Sequence, residues 1–341
     1  MLIFRPVAIN DLDQIMKLIQ LAGPGLSSLP NDTEFIKNKI QKSVDSIDRI
    51  GDKPAGERIL FALENTEDGE ILGISGVISR IGGFDPYHFN RLTSEIKTYP
   101  SQNLNIIHNY FQVEKTHKGP SEVCSLFLAP KYRKGPNGRI LSLSRFLFMA
   151  ENIQIFEENV IAEMRGVVSA DGISDFWSAV GEKLTGLSFR DADDLYSRDT
   201  EFIDEILPLG KQLINTLPDS AIDIIGKVHP NTEPAKRLLE KEGFKFNKLV
   251  GVLEPGPILE VNLQDIRTIK NSKLYTVKEI NDEERSESPM LVSNHSSAEN
   301  FRTNFASIKI EGDKATVHKD LAHHLKLGML SEIRVVSLRD N

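Results

Sequence analysis

The sequence predicts an α/β (α+β) fold: a mixed sheet with helices packed on it, followed by a smaller β-rich unit. Three observations carry this. Short runs rich in Val, Ile and Phe alternate with segments whose apolar residues recur at helical spacing. Ser121 to Met149 reads as strand, glycine-containing turn and helix in immediate succession. After Glu254-Pro255-Gly256-Pro257 short alternating strands take over, which divides the chain into 1–256 and 257–341.

In order, Leu2 to Val7 forms a first strand. Asn10 or Asp11 caps a helix through Ile15, Leu18, Ile19 and Leu21, which Gly23-Pro24-Gly25 breaks. Thr33 opens a second helix through Phe35, Ile36, Ile40, Val44 and Ile47. Ile59 to Glu64 and Ile71 to Arg80 are strands joined by a hairpin signal at Asp68-Gly69. Gly82 to Gly119 is rich in aromatics, His and Asn, and Leu104 to Phe111 reads as one more strand. Val123 to Leu128, bounded by Pro120 and Pro130, is a strand; a helix follows from about Gly138, with Ile140, Leu143 and Leu147 on one face. Asn159 to Val168 is an apolar strand with Glu163 and Arg165 embedded in it. Phe176, Trp177, Val180 and Leu184 suit a helix, Asp199 to Leu217 another, and Ile222 to Val228 a strand ending at His229-Pro230. Glu233 or Pro234 starts a helix that stops at Gly243, and Phe244 to Leu253 is a strand. In the C-terminal unit Leu259, Val261 and Leu263 alternate with polar residues. Leu274 to Val277, Met290 to Ser293, Phe301 to Ile310, Ala315 to His318 and Glu332 to Leu338 read as strands, and Asn281 to Ser288 as an acidic, mobile loop.

Composition narrows the function. The chain has 341 residues, 40% hydrophobic and 26% charged, enough for one large or two smaller domains. A formal net charge of −8 argues against nucleic acid as a partner, because phosphate backbones call for a basic surface. No stretch approaches the ~20 apolar residues of a membrane span, and the N-terminal apolar run is too short for a signal peptide. The single cysteine, Cys124, cannot close an internal disulfide, so a reducing, cytoplasmic setting is expected. His88, His108, His117, His323 and His324 lack metal-ligand spacing, so no metal is expected; His323-His324 reads as a solvated helix face.

The strand–turn–helix at 121–149 is an anion site. The first N–H groups of a helix are unpaired and its dipole favours negative charge there. Arg133, Lys134 and Arg139 add positive charge, and Gly138 gives the closest backbone approach. A diphosphate suits such a site. Neither Gly-x-x-x-x-Gly-Lys-Ser/Thr nor Gly-x-Gly-x-x-Gly is present, which excludes the commonest nucleotide cradles.

The turn resembles the acyl-CoA signature Arg/Gln-x-x-Gly-x-Gly/Ala of the GCN5-related N-acetyltransferase (GNAT) superfamily, with Arg133 first, Gly138 last and Pro136 in place of the middle Gly. Asn231 to Phe244 resembles a second GNAT signature, Asn-x-x-Ala-x-x-Leu-Tyr-x-Lys-x-Gly-Phe. Pro234 is an extra residue in it, and Leu239 replaces the Tyr that protonates the leaving thiolate in many GNAT enzymes. Phe84 to Tyr87, Ser121 to Ala150, Ala162 to Val167, Ile225 to Thr232, Gly25-Leu26 with Ser28 to Pro30, and Gly256-Pro257-x-Leu259-Glu260 resemble the arginine N-succinyltransferase (beta chain) family.

The resemblance covers nearly the whole chain. It implies a GNAT fold with a central mixed, mostly antiparallel sheet and a small C-terminal β-barrel-like domain. It implies succinyl-CoA as co-substrate, with no permanently bound cofactor, and transfer of succinyl to the α-amino group of L-arginine in arginine degradation. It gives His229 the proton-donor role that Leu239 leaves vacant; a pKa near ~6.5 suits that role. Leu126 occupies the strand on which GNAT enzymes offer backbone N–H groups to the thioester carbonyl. Arg165 is a candidate for the succinyl carboxylate and Glu163 for the acceptor's guanidinium, unless the two pair with each other. Leu207 to Lys211, Tyr87 and Leu184-Thr185 depart from the family. Those departures leave two alternatives: ornithine or another amine as acceptor, and a catalytically weak acyl-CoA-binding subunit of a hetero-oligomer. Exposed strand edges in the C-terminal unit also allow a homodimer.

Overall fold

A computed structural model describes residues 1–22, 28–207, 210–283 and 287–338. β1 (Leu2–Pro6) pairs antiparallel with β2 (Arg58–Asn65), and β2 with β3 (Ile71–Ile78). The two helices between β1 and β2, α1 (Leu12–Gln20) and α2 (Thr33–Asp48), cover one face of these strands. Asp32 starts α2 by accepting from the N–H groups of Glu34 and Phe35, each at 3.0 Å. Ile15, Leu18, Ile36 and Ile40 recur at helical spacing and bury against Leu60, Ala62 and Ile74. β3 is buried along its whole length, as a central strand should be.

β4 (Gly82–Tyr99) and β5 (Leu104–Lys118) form a long hairpin, and β6 (Ser121–Leu128) returns to pair antiparallel with β3. α3 (Asn137–Glu151) follows and is buried without interruption from Ile140 to Met149. Each fully buried Leu or Phe contributes ~1.5–3 kcal/mol, so α3 anchors the main core. β7 (Asn159–Glu163) lies parallel to β6. An insertion then carries α4 (Asp175–Thr185), α5 (Phe189–Arg198), α6 (Phe202–Ile206), β8 (Gln212–Leu213) and α7 (Asp219–Ile224), with its own small core around Trp177. α8 (Glu233–Lys241) leads to β9 (Lys245–Val250) and β10 (Pro257–Asn262).

After α9 (Arg267–Asn271), the C-terminal unit comprises β11 (Lys273–Asn281), β12 (Met290–Asn294), β13 (Thr303–Ala306), β14 (Lys309–Glu311), β15 (Lys314–His318), α10 (Lys319–Leu325) and β16 (Glu332–Ser337). The strand order is β14-β15-β11-β16-β12-β13-β1-β2-β3-β6-β7-β10-β9-β4-β5-β8. β13 uses the free edge of β1, with Thr303 opposite Phe4. Buried Glu151, at the end of α3, accepts from Arg334 at 2.7 Å and ties β16 to the main core. Among the described residues no helix is long and apolar enough to cross a membrane.

The mixed, mostly antiparallel sheet with flanking helices is as expected. The barrel is not: the C-terminal strands extend the same sheet through β1, and no barrel closes among the described residues. The strand at 257–262, grouped by sequence with the C-terminal unit, lies between β7 and β9. Glu254-Pro255-Gly256 is a tight turn between β9 and β10, and composition cannot tell a turn from a linker. The region from Gly82 to Gly119 holds two long strands rather than one, because the arm is exposed on both faces beyond its base and shows no apolar alternation. Among its described residues, Asp199 to Leu217 holds a one-turn helix, a two-residue strand and one 3-10 turn at Ile214–Thr216. Ile222 to Val228 begins as the end of a helix: Ile222–Ile224 close α7, Ile222 and Ile225 pack with Phe176 and Val180 of α4, Gly226 (φ 73°) lies in the turn that follows, and only Val228 bridges to Gly166. The expected break at Gly23-Pro24-Gly25 and the centre of the Asn281–Ser288 loop lie outside the described residues, as do Pro208 and Leu209.

Candidate active site

The site begins where two parallel strands part. β6 and β7 pair only at Ser121–Val160 and Glu122–Ile161. β7 runs on to Glu163 against β10, and β6 runs on to Leu128 against β3, so a wedge opens between them. A bulge sharpens it. Ser125 has φ 53°, in the left-handed region that a non-glycine residue rarely adopts, and Ser125 and Leu126 together stand opposite Ser75. Leu126 therefore sits on the wedge with one strand edge unpaired, where its N–H can meet a ligand's carbonyl.

The basic turn follows at the end of the same strand. Gly135 takes φ 60° and Pro136 is the N-cap of α3. At the N-cap the missing proline N–H costs the helix nothing. The first backbone bond of α3 runs from Ile140 N–H to the Pro136 carbonyl at 2.9 Å, so the N–H groups of 137–139 remain as donors. A Cβ added at Gly138 would meet nothing within 4 Å, so the absent side chain leaves open space in front of those donors. Arg133 is held at the turn by a bond from Nε to the Leu128 carbonyl (3.0 Å) and stacks on Phe127. Lys134 and Arg139 are exposed beside it.

The floor of the wedge is acidic. Glu163, at the end of β7, accepts from the Tyr87 hydroxyl at 2.6 Å. It touches solvent, yet protein crowds it closely enough to raise its pKa: the situation of a group inside a concave site. Glu122 on β6 is pushed up to about 7 by desolvation and by the charge of Glu163. Glu254, from the β9–β10 turn, rises to about 8 by desolvation and by the charge of Asp193, and its Oε2 is buried without a hydrogen-bond partner among the described residues. Asp193, on α5 of the insertion, rises to about 6 by desolvation and then by Asp194. Tyr196, one turn further along α5, is also pushed up by burial and then by Glu163. Three cations share the space. Desolvation lowers the Arg165 pKa, against the opposing charges of Glu254 and Asp193; Lys39 of α2 donates to the Ser28 carbonyl, and Arg58 of β2 and Lys39 both act on Glu122. Four carboxyls against three cations leave an acidic surplus.

His229 lies at the rim. Its backbone N–H donates to the Arg165 carbonyl at 2.9 Å, and its Nδ1 accepts from the N–H of Asn231 at 3.1 Å. A backbone N–H can only donate, so Nδ1 is unprotonated and the ring proton sits on Nε2. Desolvation, then the charge of Arg165, lowers the His229 pKa and keeps the ring neutral near pH 7. Leu239 is buried in the main core, out of reach of any ligand. Two glycines fix the frame: a Cβ on Gly256 would lie 1.9 Å from the Met164 carbonyl oxygen, and one on Gly251 2.7 Å from Glu163 Oε1.

The structure thus gathers Glu163, Arg165 and His229 at one end of the wedge and Leu126, Arg133, Lys134, Gly138 and Arg139 along β6 and its turn. Sequence reading missed Glu122, Asp193, Tyr196 and Glu254, and saw Tyr87 only as a departure. Among the described residues no cluster of His, Cys, Asp or Glu has the arrangement of a metal site.

A splayed parallel strand pair, a bulge beside it and a helix end with free N–H groups on the same strand form the arrangement expected of a GNAT-type acyltransferase fold. A solved structure of arginine/ornithine succinyltransferase subunit AI from Pseudomonas aeruginosa superposes on it with a TM-score of 0.90, at 26% identity, covering 100% of this chain and 99% of that one. The family model of the arginine N-succinyltransferase beta subunit matches residues 2–268. The arginine N-succinyltransferase of Photorhabdus laumondii is 33% identical over 99% of this chain and 98% of its own; that of Shigella boydii is 36% identical over 82% and 81%. The chain belongs to the arginine N-succinyltransferase family.

Proposed function

We propose that the chain transfers succinyl from succinyl-CoA to the α-amino group of L-arginine, as the first step of arginine breakdown in the cytoplasm. The observation that carries the acceptor is the acidic floor. Arginine brings an ammonium and a guanidinium, and Glu122, Glu163, Asp193 and Glu254 supply carboxylates for both. Their raised pKa values make the empty site reluctant to hold negative charge, and an incoming cation relieves that cost. Bidentate pairing of guanidinium with carboxylate is among the stronger charge-assisted contacts.

The thioester lies in the wedge, its pyrophosphate on the N–H groups of 137–139 with Arg133, Lys134 and Arg139, its carbonyl oxygen on the N–H of Leu126. Arg165 offers a cation to the succinyl carboxylate. The acceptor ammonium, with a pKa near ~8, loses one proton to solvent near neutral pH. The free amine attacks the thioester carbon, the C–S bond breaks, and the nitrogen loses its second proton as the thiolate gains one. The proton that the nitrogen loses is the one the sulfur gains, and His229 donates a hydrogen bond from Nε2–H to the departing sulfur while keeping its own proton. Its fixed tautomer leaves Nδ1 occupied by Asn231, so the ring positions a donor and does not store a proton. The P. aeruginosa relative is described as a subunit, and we take this chain to assemble too.

Thiol release from succinyl-CoA tests the reading. L-Arginine should support turnover, and citrulline, which lacks the side-chain charge, should lose ~10²-fold in kcat/KM. Ornithine carries a cation to the same acids and is the second acceptor to measure. Release that is no faster with any amine than with none overturns the proposal.

A further inference from the structure

Arg145, two turns into α3, is a cation inside the core. It is only 1% exposed, and burial pushes its pKa down to about 10, so it stays charged at neutral pH. Among the described residues no carboxylate pairs with it. Its hydrogen bonds go to neutral groups instead. Nε donates to the Ser142 carbonyl at 3.0 Å, Nη2 to Ser142 Oγ at 3.0 Å, and Nη1 reaches the Cys124 carbonyl at 3.4 Å. A buried charge without a counter-charge is costly, and an apolar side chain of similar size would serve the packing of α3 as well.

The third of those contacts gives the charge a use. Cys124 leads into the β6 bulge, where Ser125 at φ 53° turns the strand and sets Leu126 on the wedge. A left-handed non-glycine residue persists only where its surroundings hold it. The bond to the Cys124 carbonyl fixes the peptide plane before Ser125, one residue from the plane that carries the Leu126 N–H. The facing strand is held by the same helix: Ser75, opposite the bulge, donates from Oγ to the Leu141 carbonyl at 3.2 Å. Resting on the reading of Leu126 as donor to the thioester carbonyl, we propose that Arg145 is a positioning residue for acyl transfer, holding the bulge so that the Leu126 N–H stays aimed at the oxygen that becomes negative. Its unneutralised charge lies behind the same bulge and favours that negative charge as it develops. Being buried, Arg145 acts through the β6 backbone and not by contact with the ligand. One helix thus sets both ends of the thioester: the first turn of α3 takes the diphosphate, and its third turn fixes the donor to the carbonyl.

Arg145→Met and Arg145→Lys test this, with thiol release from succinyl-CoA measured at saturating L-arginine and CoA affinity measured by calorimetry. Met fills similar space without charge, so thermal stability should hold or rise. In Arg145→Met kcat should fall about 30-fold, part of the ~10²–10³-fold cost of losing an oxyanion donor outright, while CoA affinity stays within about threefold. Lys keeps the charge and a donor toward Cys124, and should bring kcat back to within about fivefold of wild type. Ser142→Ala removes one anchor of the guanidinium and should lower kcat about threefold. A kcat for Arg145→Met close to that of wild type overturns the inference and leaves the transferase reading standing. So does a joint fall of kcat, CoA affinity and melting temperature that Lys does not rescue, because a merely structural role would produce it. Should Arg145→Met fail to fold, an unchanged kcat in Ser142→Ala overturns the inference in its place. Wild-type thiol release that is no faster with any amine than with none overturns both readings.

Discussion

The two ends of the wedge are built in opposite ways. The basic end is local: Arg133, Lys134, Gly138 and Arg139 fall within seven residues, on one turn, around one helix terminus. The acidic end is assembled from β6, β7, the insertion helix α5 and the β9–β10 turn, so its four carboxyls are spread from residue 122 to residue 254. Local charge at a solvated helix end binds a common group, the diphosphate, that many enzymes share. Dispersed charge in a crowded cleft costs desolvation and is worth having only where a particular cation must be recognised.

That contrast can be broken at either end. The largest effect belongs to the acidic floor: Glu163→Gln should lower kcat/KM for arginine about 10³-fold, because it removes a carboxylate that the ligand's cation leaves water to meet. KM for succinyl-CoA should change less than threefold in steady-state assays, and a matched rise in both constants would show that the two ends are not separate. His229→Ala, between the ends, should lower kcat about 10²-fold with CoA affinity little altered; turnover within threefold of wild type would remove His229 from the chemistry. At the basic end Arg133→Ala with Lys134→Ala should raise KM for succinyl-CoA about tenfold, and the defect should shrink as salt screens the wild-type advantage. The smallest effect is Gly138→Ala. An added Cβ meets no protein atom and replaces a glycine in a helix, so thermal stability should hold or rise slightly. The methyl group nevertheless stands before the diphosphate, and KM for succinyl-CoA should rise about threefold.

The acidic floor also sets a pH signature. Glu254 takes up its proton at about 8 in the folded protein, against 4.5 as its ordinary value. Between those values the folded state binds more protons than the unfolded one, so stability of the free protein falls as pH rises through that window. Thermal melts from pH 5 to pH 8.5 should show the decline, and Glu254→Gln should flatten it. Saturating arginine should oppose it, because a bound cation favours the ionised carboxyls.

The same division explains what could be read from the chain. Arg133 to Arg139 was legible because a strand, a turn and a helix start are neighbours in sequence, and their chemistry follows from helix-end physics. Leu239, at the position where many GNAT enzymes carry a Tyr, is buried in the main core. Glu163 and Arg165 were visible as charges inside an apolar run. Asp193 and Glu254 were not, because an acid on an amphipathic helix and an acid beside Pro-Gly look like ordinary surface and turn residues until the fold brings them together. Of the β4–β5 arm, β4 was missed for the reverse reason, while part of β5 was expected at Leu104 to Phe111. Beyond its pairing with β9 and β8 the arm is a two-stranded ribbon with Ile96, Leu104 and Ile107 exposed, so it lacks the one-sided pattern that marks a strand.

The seam between Phe4 and Thr303 has a consequence for how the chain is made. On the ribosome β1 emerges some 300 residues before the strand that covers its edge. Until then β1 presents an unpaired row of N–H and C=O groups beside a formed core, an invitation to pair with another nascent chain. A protein truncated before residue 303 should therefore collect in inclusion bodies, and co-expression of the missing C-terminal piece should return it to solution.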